Sequence, residues 1–177
     1  MSERIAFTIG HSTRPFDEFG ALLAGHGIAT LIDVRTVPRS RHNPQYSQER
    51  LPGALATLGI AYDHAPGLGG FRTARPDSPN SGWRNTSFRG YADYMQTPEF
   101  DENLFWLMQV ASEKRTAVMC AEAVPWRCHR SLIADALLVR GWQVDEIVSP
   151  KRAQAHRLTP FAKVEGESIT YPPQVDA

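Results

Sequence analysis

Short apolar runs alternate with helix-type patterns along most of this chain, and that alternation restricts the fold more than any other feature. Ile5, Ala6, Phe7, Thr8 and Ile9 make one run, stopped by Gly10. Short apolar runs bounded by turn residues read as buried strands. Thr13 reads as an N-cap and Pro15 as a first-turn residue. Phe16, Phe19, Leu22 and Leu23 then share one helical face until Gly25 and Gly27. Residues 29–34 read as a second strand, 47–58 as a helix ended by Gly59, and 60–64 as a third strand. A helix over 98–112 carries Phe100, Leu104, Leu107, Met108 and Ala111 on one side. A strand from Thr116, a helix over 128–140 ending at Gly141, and a strand over 144–148 complete the pattern.

Alternating strands and helices predict an α/β fold: a mainly parallel sheet with helices on both faces, in a single compact domain. Residues 1–150 form that domain, and 151–177 are expected to pack on it as a C-terminal extension. Within the extension, 162–171 is expected to add an edge strand or hairpin. Residues 65–90 interrupt the alternation. They hold five glycines, three prolines and Arg72, Arg75, Arg84 and Arg89, and read as an inserted loop of the lid or binding type.

Right-handed crossovers place the C-terminal ends of parallel strands on one side, where open α/β sheets bind ligands. Four strand ends here carry chemistry: His11 and Ser12; Asp33 and Arg35; His64; Cys120 and Glu122. The last opens the densest stretch of the chain, Cys120-Ala121-Glu122-Ala123-Val124-Pro125-Trp126-Arg127-Cys128-His129-Arg130, which holds both cysteines.

Composition narrows the class. Hydrophobic residues are 42% and charged residues 21% of 177, as in a globular chain. Two cysteines are too few for a disulfide scaffold, the start Met1-Ser2-Glu3-Arg4 has no apolar signal region, and no run approaches a membrane span. A cytoplasmic protein is expected. Net charge is zero, which argues against a generic electrostatic binder of nucleic acid. The 19 basic residues divide into 16 arginines and 3 lysines, and arginine offers a planar fork for phosphate or carboxylate.

Thr8-Ile9-Gly10-His11-Ser12, Leu31-Ile32-Asp33-Val34-Arg35, Pro38-Arg39-Ser40-Arg41, Leu68-Gly69-Gly70, and Cys120-Ala121-Glu122 followed by Cys128-His129-Arg130 together resemble the signature of the family called domain of unknown function 488. The resemblance runs from about residue 5 to 150. It implies a compact α/β domain of bacterial or archaeal type and no particular reaction. The loop at 71–88 and the tail after 150 lie outside the motifs.

The residues themselves suggest chemistry. Cys128, if it opens a helix beside Arg127, His129 and Arg130, has surroundings that favour thiolate. Cys120 is a structural candidate or a redox partner for Cys128. Asp33 and Glu122 form a candidate acid–base pair, with His11 and His129 as further catalytic candidates. Arg35, Arg39, Ser40, Arg41 and Arg130 form a candidate anion cradle, phosphate being the expected anion, and Gly69 and Gly70 permit close backbone approach. His42, Tyr46, Trp83 and Trp126 offer aromatic surfaces that could stack a base. Six residues separate Cys120 from Arg127 where a phosphatase loop needs five, so that mechanism is disfavoured. Cys120, Glu122, Cys128 and His129 lack the cysteine spacing of structural zinc, and no metal or cofactor is assigned. The leading expectation is an enzyme acting on a phosphate-bearing substrate, a nucleotide or nucleic acid. The alternatives are a non-catalytic module binding nucleic acid or a phosphorylated ligand, and a thiol-based redox or sulfur-transfer protein using Cys120 and Cys128.

Overall fold

The computed structural model describes residues 4–174. Residues 1–3, at the start read as lacking an apolar leader, and residues 175–177, at the end of the expected extension, lie outside the described residues. Six strands form the main sheet: β1 (Ile5–Gly10), β2 (Thr30–Asp33), β3 (Ala61–His64), β4 (Thr116–Cys120), β5 (Gln143–Ser149) and β6 (Arg152–Ala155). Their order is β3-β2-β4-β1-β5-β6. All neighbours run parallel except β6, which returns antiparallel along β5. A separate antiparallel hairpin, β7 (Lys163–Glu165) with β8 (Ser168–Thr170), turns at Gly166. The chain is thus a mixed α/β single domain. No helix is long and apolar enough to cross a membrane among the described residues.

Five α-helices cover the sheet: α1 (Phe16–Gly25), α2 (Leu51–Ala56), α3 (Thr86–Tyr94), α4 (Pro98–Glu113) and α5 (Arg130–Val139). The strand pleat sorts the core into two layers, because successive side chains point to opposite faces. Phe7, Ile9, Leu31, Ala117 and Met119 pack against Phe19, Leu23, Leu51 and Leu55 of α1 and α2. Ala6, Ile32, Val118 and Cys120 face the other way, against Tyr91, Leu104, Leu107, Leu132 and Ile133 of α3, α4 and α5. Fully burying each such large side chain contributes about 1.5–3 kcal/mol. The chain therefore leaves β1 and β2 toward one face, and leaves β3 and β4 toward the other. Connections that diverge between neighbouring strands open a crevice at their C-terminal ends.

Several boundaries differ from the sequence reading. The helix expected over 47–58 is only Leu51–Ala56, preceded by a 3-10 turn over Pro44–Tyr46. Pro52 has no N–H to donate, so it sits in the first turn and cannot lie inside a longer helix. Pro15, rather than Thr13, stands at the N-cap position of α1, with no side-chain capping hydrogen bond. The helix expected from 128 begins at Arg130, after a 3-10 turn over Pro125–Arg127. The segment 65–90 is not all loop: α3 begins at Thr86, where Asn85 accepts hydrogen bonds from the Ser87 and Phe88 amides. The tail after 150 supplies the edge strand β6 as well as the hairpin.

What remains of the insertion, 69–85, is tied down by buried polar groups. Asp93 on α3 accepts hydrogen bonds from Ser78 Oγ (2.5 Å), Asn80 Nδ2 (2.7 Å) and the Arg75 amide (2.8 Å). Burial works to raise the Asp93 pKa, but these donors outweigh it and hold the carboxyl below its ordinary value. The side chain of Asn80 also accepts from the Tyr171 amide at 2.9 Å. Tyr171 in turn donates from its hydroxyl to Asp135 of α5, which gathers His156 and Thr159 as well. Loop, tail and α5 are thereby one hydrogen-bonded unit. Asp93→Ala leaves three donors without an acceptor, the Asn80 side-chain amide among them fully buried, so it should destabilise the fold by about 2–4 kcal/mol in denaturant titration. A loss below about 0.5 kcal/mol, the range of an ordinary surface substitution, would mean that this network holds nothing together.

Candidate functional site

The ends of β1, β2, β3 and β4 share one rim of the sheet. The ladder continues past the strands: the His11 amide donates to Cys120 O and the Ser12 amide to Ala121 O, each at 2.9 Å. Gly10 makes this possible, since a Cβ there would overlap the Glu122 carbonyl. Two separate clusters form on the rim.

The first closes on itself. Asp33 is fully buried. Its Oδ1 accepts from Arg35 Nε (2.9 Å) and the Arg35 amide (3.1 Å), and its Oδ2 accepts from Arg35 Nη2 (2.7 Å) and Tyr62 Oη (2.5 Å). Arg35 spends a further donor on Tyr46 O at 2.7 Å. His11 Nδ1 lies 2.7 Å from the Ser12 carbonyl, so that nitrogen carries the hydrogen, and Nε2 faces Arg35 Nη1 at 3.4 Å. The His11 ring stacks on Tyr46 at 4.1 Å. Burial lowers the His11 pKa to about 4, and Arg35 adds to the effect against the opposing Ser12 hydrogen bond. His64 Nε2 rests 2.7 Å from Arg35 O. Every lone pair of Asp33 that faces the protein is taken, and His11 is neutral at pH 7. Asp33 and His11, expected as acid–base residues, share the rim but do not line the pocket beside it.

The second cluster opens into that pocket, a cavity of about 440 Å³ between the segment after β2 and the segment after β4. Val37, Phe71, Phe88 and Tyr91 form its walls, and Cys120, Cys128 and His129 its floor. Both cysteines are free thiols, buried, with their sulfurs 2.6 Å apart. Cys128 lies just before α5 in extended backbone, and the Arg130 amide, one of the free N–H groups at the helix start, points to its sulfur at 3.4 Å. His129 Nε2 sits 3.2 Å from Val34 O, which only accepts, so Nε2 carries the hydrogen. Nδ1 then presents its lone pair to Cys128 Sγ at 3.6 Å. Arg130 is fully buried and donates from Nη1 to Cys120 Sγ (2.7 Å) and from Nη2 to Glu146 Oε1 (2.6 Å) and Ala123 O (2.9 Å).

The two sulfurs are in direct contact and titrate as a unit. The Cys128 thiol is lowered well below its ordinary value by the hydrogen bond with Cys120, then by His129 and the charge of Arg130, against burial. Burial, followed by the hydrogen bond with Cys128 and the negative charge beside it, pushes Cys120 well up against the opposing Arg130. The first proton leaves easily and the second is held.

The remaining expected residues are distributed as follows. Glu122 is exposed on the pocket rim, and its Oε1 accepts from the Val124 amide at 3.1 Å. Arg39 is exposed and reaches the pocket, while Arg41 is exposed away from it. Ser40 Oγ accepts from the Asn43 amide at 3.1 Å, stapling its own loop. The four-arginine cradle therefore does not assemble: Arg35 and Arg130 are buried in ion pairs with Asp33 and Glu146. Gly69 and Gly70 do permit close approach, but to the protein's own Thr36 and His129. Among the described residues no three His, Cys, Asp or Glu side chains stand close enough to hold a metal ion.

A family model described as Domain of unknown function DUF488 matches residues 15–137. The chain belongs to the DUF488 family. No curated protein and no solved structure matches it. The DUF488 match contains both cysteines, His129 and Arg130, as well as Asp33 and Arg35.

Three contributors escaped the sequence reading. Phe71 is 84% exposed on the pocket rim with φ 56°, a left-handed conformation that a bulky residue rarely adopts. Its only signal was its place after Gly69-Gly70. Tyr91 was hidden because it falls just past the segment 65–90 read as loop, in a stretch given no element, whereas α3 spans Thr86–Tyr94. Glu146 looked like a strand residue, and nothing local marked it as the partner of Arg130.

His11 gives this rim a pH signature. Its folded pKa lies below the unfolded value of about 6.5, so the unfolded chain binds more protons between those two values. The stabilisation is complete above about pH 6.5 and is lost as pH falls toward about 4, by roughly 3 kcal/mol in all. Urea titrations across that window should show the slope in the native protein and a flatter one in His11→Gln. An unchanged slope in the variant would mean that folding does not lower the His11 pKa.

Proposed function

We propose that this protein is a dithiol enzyme in which Cys128 attacks and Cys120 resolves. The observation that carries the reading is the direct contact of the two sulfurs on the floor of the pocket, between His129 and Arg130. Thiolate is the nucleophile in sulfur chemistry, and Cys128 has the surroundings that favour it. The sequence pointed first to phosphate chemistry, and the burial of Asp33, Arg35 and Arg130 shifts the balance to the thiol alternative.

The substrate class is a small disulfide. The Cys128 thiolate attacks one substrate sulfur, a Cys128–substrate disulfide forms, the substrate S–S bond breaks, and the first thiolate leaves. Cys120 gives up its proton to His129 or water and attacks Cys128 Sγ. The mixed disulfide breaks and the second thiolate leaves. The protein dithiol is oxidised by two electrons to a Cys120–Cys128 disulfide, and the substrate is reduced to two thiols. A second dithiol resets the enzyme. A cytoplasmic setting, where thiols are kept reduced, suits this cycle. Arg39 and Arg127 on the rim have no ion-pair partner among the described residues, so they suit an anionic group on the substrate, whether phosphate or carboxylate.

An aromatic disulfide bearing carboxylates, whose thiol product is coloured, tests the order of steps. Native protein should release two equivalents of coloured thiol and end lighter by its two thiol hydrogens in mass spectrometry. Cys120→Ser should release one equivalent and retain the adduct on Cys128, while Cys128→Ser should react at least about tenfold more slowly. The rate of the first phase should rise through a pH well below the free-thiol value of roughly 8.5. A native protein that keeps its adduct, or that reacts no faster below neutral pH than a free thiol, would refute the scheme.

A further inference from the structure

The thiol pocket is one end of a longer groove. It shares Phe88 and Arg127 with a cavity of about 690 Å³, and that cavity shares Trp83, Trp126 and Phe161 with a third of about 520 Å³ beside β5 and β6. Aromatic rings recur along the whole course. Trp83 is fixed edge-on against Phe88 (5.0 Å) and Phe161 (4.8 Å), so it is a rigid platform. Trp126 is 71% exposed and Phe71 marks the far rim. The Trp83 Nε1–H is buried with no hydrogen-bond partner among the described residues, a donor that calls for an acceptor from outside the chain.

Charge runs alongside the rings. Arg39, Arg84, Arg127 and Arg157 line the joined cavities, all exposed, and none has an ion-pair partner among the described residues. The acids of the groove are Glu122 and Glu146, and Glu146 is already neutralised by Arg130. A chain of zero net charge therefore concentrates uncompensated positive charge beside stacking surfaces.

We propose that this groove binds single-stranded nucleic acid, with bases stacked on Trp126, Trp83 and Phe71 and phosphates held by the four arginines. Rings for base faces and arginine forks for the backbone are the two elements that single-strand binding needs. A mononucleotide would fill one cavity and leave the others idle. A duplex hides its base faces and meets a broad basic surface, which zero net charge does not provide. An acidic peptide matches the charge but leaves the row of platforms unused. The proposal goes beyond the dithiol reading: the two share Arg39 and Arg127 on the pocket rim, but neither sulfur takes part in the groove.

Fluorescence anisotropy with labelled DNA and RNA oligonucleotides of about ten nucleotides tests it. Saturable binding of either strand type is expected, with affinity falling on added salt at a log–log slope of about 2 to 3 for three or four phosphates on a single strand. Trp126→Ala should weaken binding about tenfold or more. Arg84→Ala with Arg157→Ala should weaken it and reduce the slope by about 1.4. Arg152→Ala, exposed and outside the groove, should change nothing. All four positions are exposed, so far-ultraviolet circular dichroism should show native folds. Absent binding, indifference to Trp126→Ala and to the arginine pair, or equal affinity for a mononucleotide, a duplex or an acidic peptide would overturn the proposal. The coloured-thiol assay on the same samples keeps the two readings apart, because release of two equivalents without oligonucleotide binding sinks only the groove.

Discussion

Arg130 carries a positive charge into the interior with no exposed surface, and the site is arranged around the need to compensate it. An unpaired buried guanidinium costs several kcal/mol, so its donors must all be met. Glu146 meets one side, from β5. The carbonyls of Glu122 and Ala123 and the sulfur of Cys120 meet the other, from the end of β4 and the turn after it. One residue at the first position of α5 thus fixes a helix, two strands and a turn to one another. The same pairing explains the crowding at Gly10, where the turn carrying those carbonyls leaves no room for a Cβ. Burial works to lower the Arg130 pKa, but the negative sulfur and Glu146 raise it, so the charge is permanent. A permanent cation in contact with one of two coupled thiols favours their loss of a proton. The group that pins the frame is also the group that prepares the sulfur.

Arg35 shows the opposite outcome from the same residue type on the same rim. Asp33, Tyr46 O and the edge of His11 absorb its donors, and Tyr62 fills the remaining carboxylate position. That leaves one Nη1 hydrogen free where Arg35 borders the thiol pocket. Both guanidiniums rest on a carboxylate and on carbonyls; the difference lies in the further partner, a histidine nitrogen for Arg35 and a thiol for Arg130. Sulfur is a weak hydrogen-bond acceptor but a reactive atom, so only the Arg130 cluster combines structural charge with chemistry.

The layering was legible in the sequence because strand and helix periodicities write themselves on apolar residues. Phe100, Leu104, Leu107 and Ala111 are buried where a helical face puts them, and the four strand ends do meet on one rim. The helix of 86–94 was not legible because Gly90 and flanking prolines and arginines resemble a loop. Gly90 is there for a tertiary reason: a Cβ would overlap the Arg72 carbonyl of the segment crossing it. The arginines misled for a related reason. A sequence displays charge but not burial, and the partners that decide burial, Asp33 within two residues and Glu146 sixteen away, look alike before folding. The contact of Cys120 with Cys128 could be entertained from spacing, but only the 3-10 turn over Pro125–Arg127 brings the sulfurs together.

The segment 69–85 shows how an irregular stretch becomes a wall. Its polar groups end on Asp93 and Asn80, and Asn80 hands the connection to Tyr171 and so to Asp135 of α5. A loop held at both ends by buried acceptors is stiff enough to present Trp83 at a fixed angle between Phe88 and Phe161. It is also stiff enough to hold Phe71 at positive φ, a conformation that persists only where the surroundings impose it. Arg72 assists, lying over the Tyr94 ring at 3.7 Å while its Nε donates to Gly69 O at 3.2 Å. The exposed ring at the mouth of the thiol pocket is therefore a placed feature. Its cost in backbone strain is sustained by the network that also fastens the C-terminal hairpin to the domain.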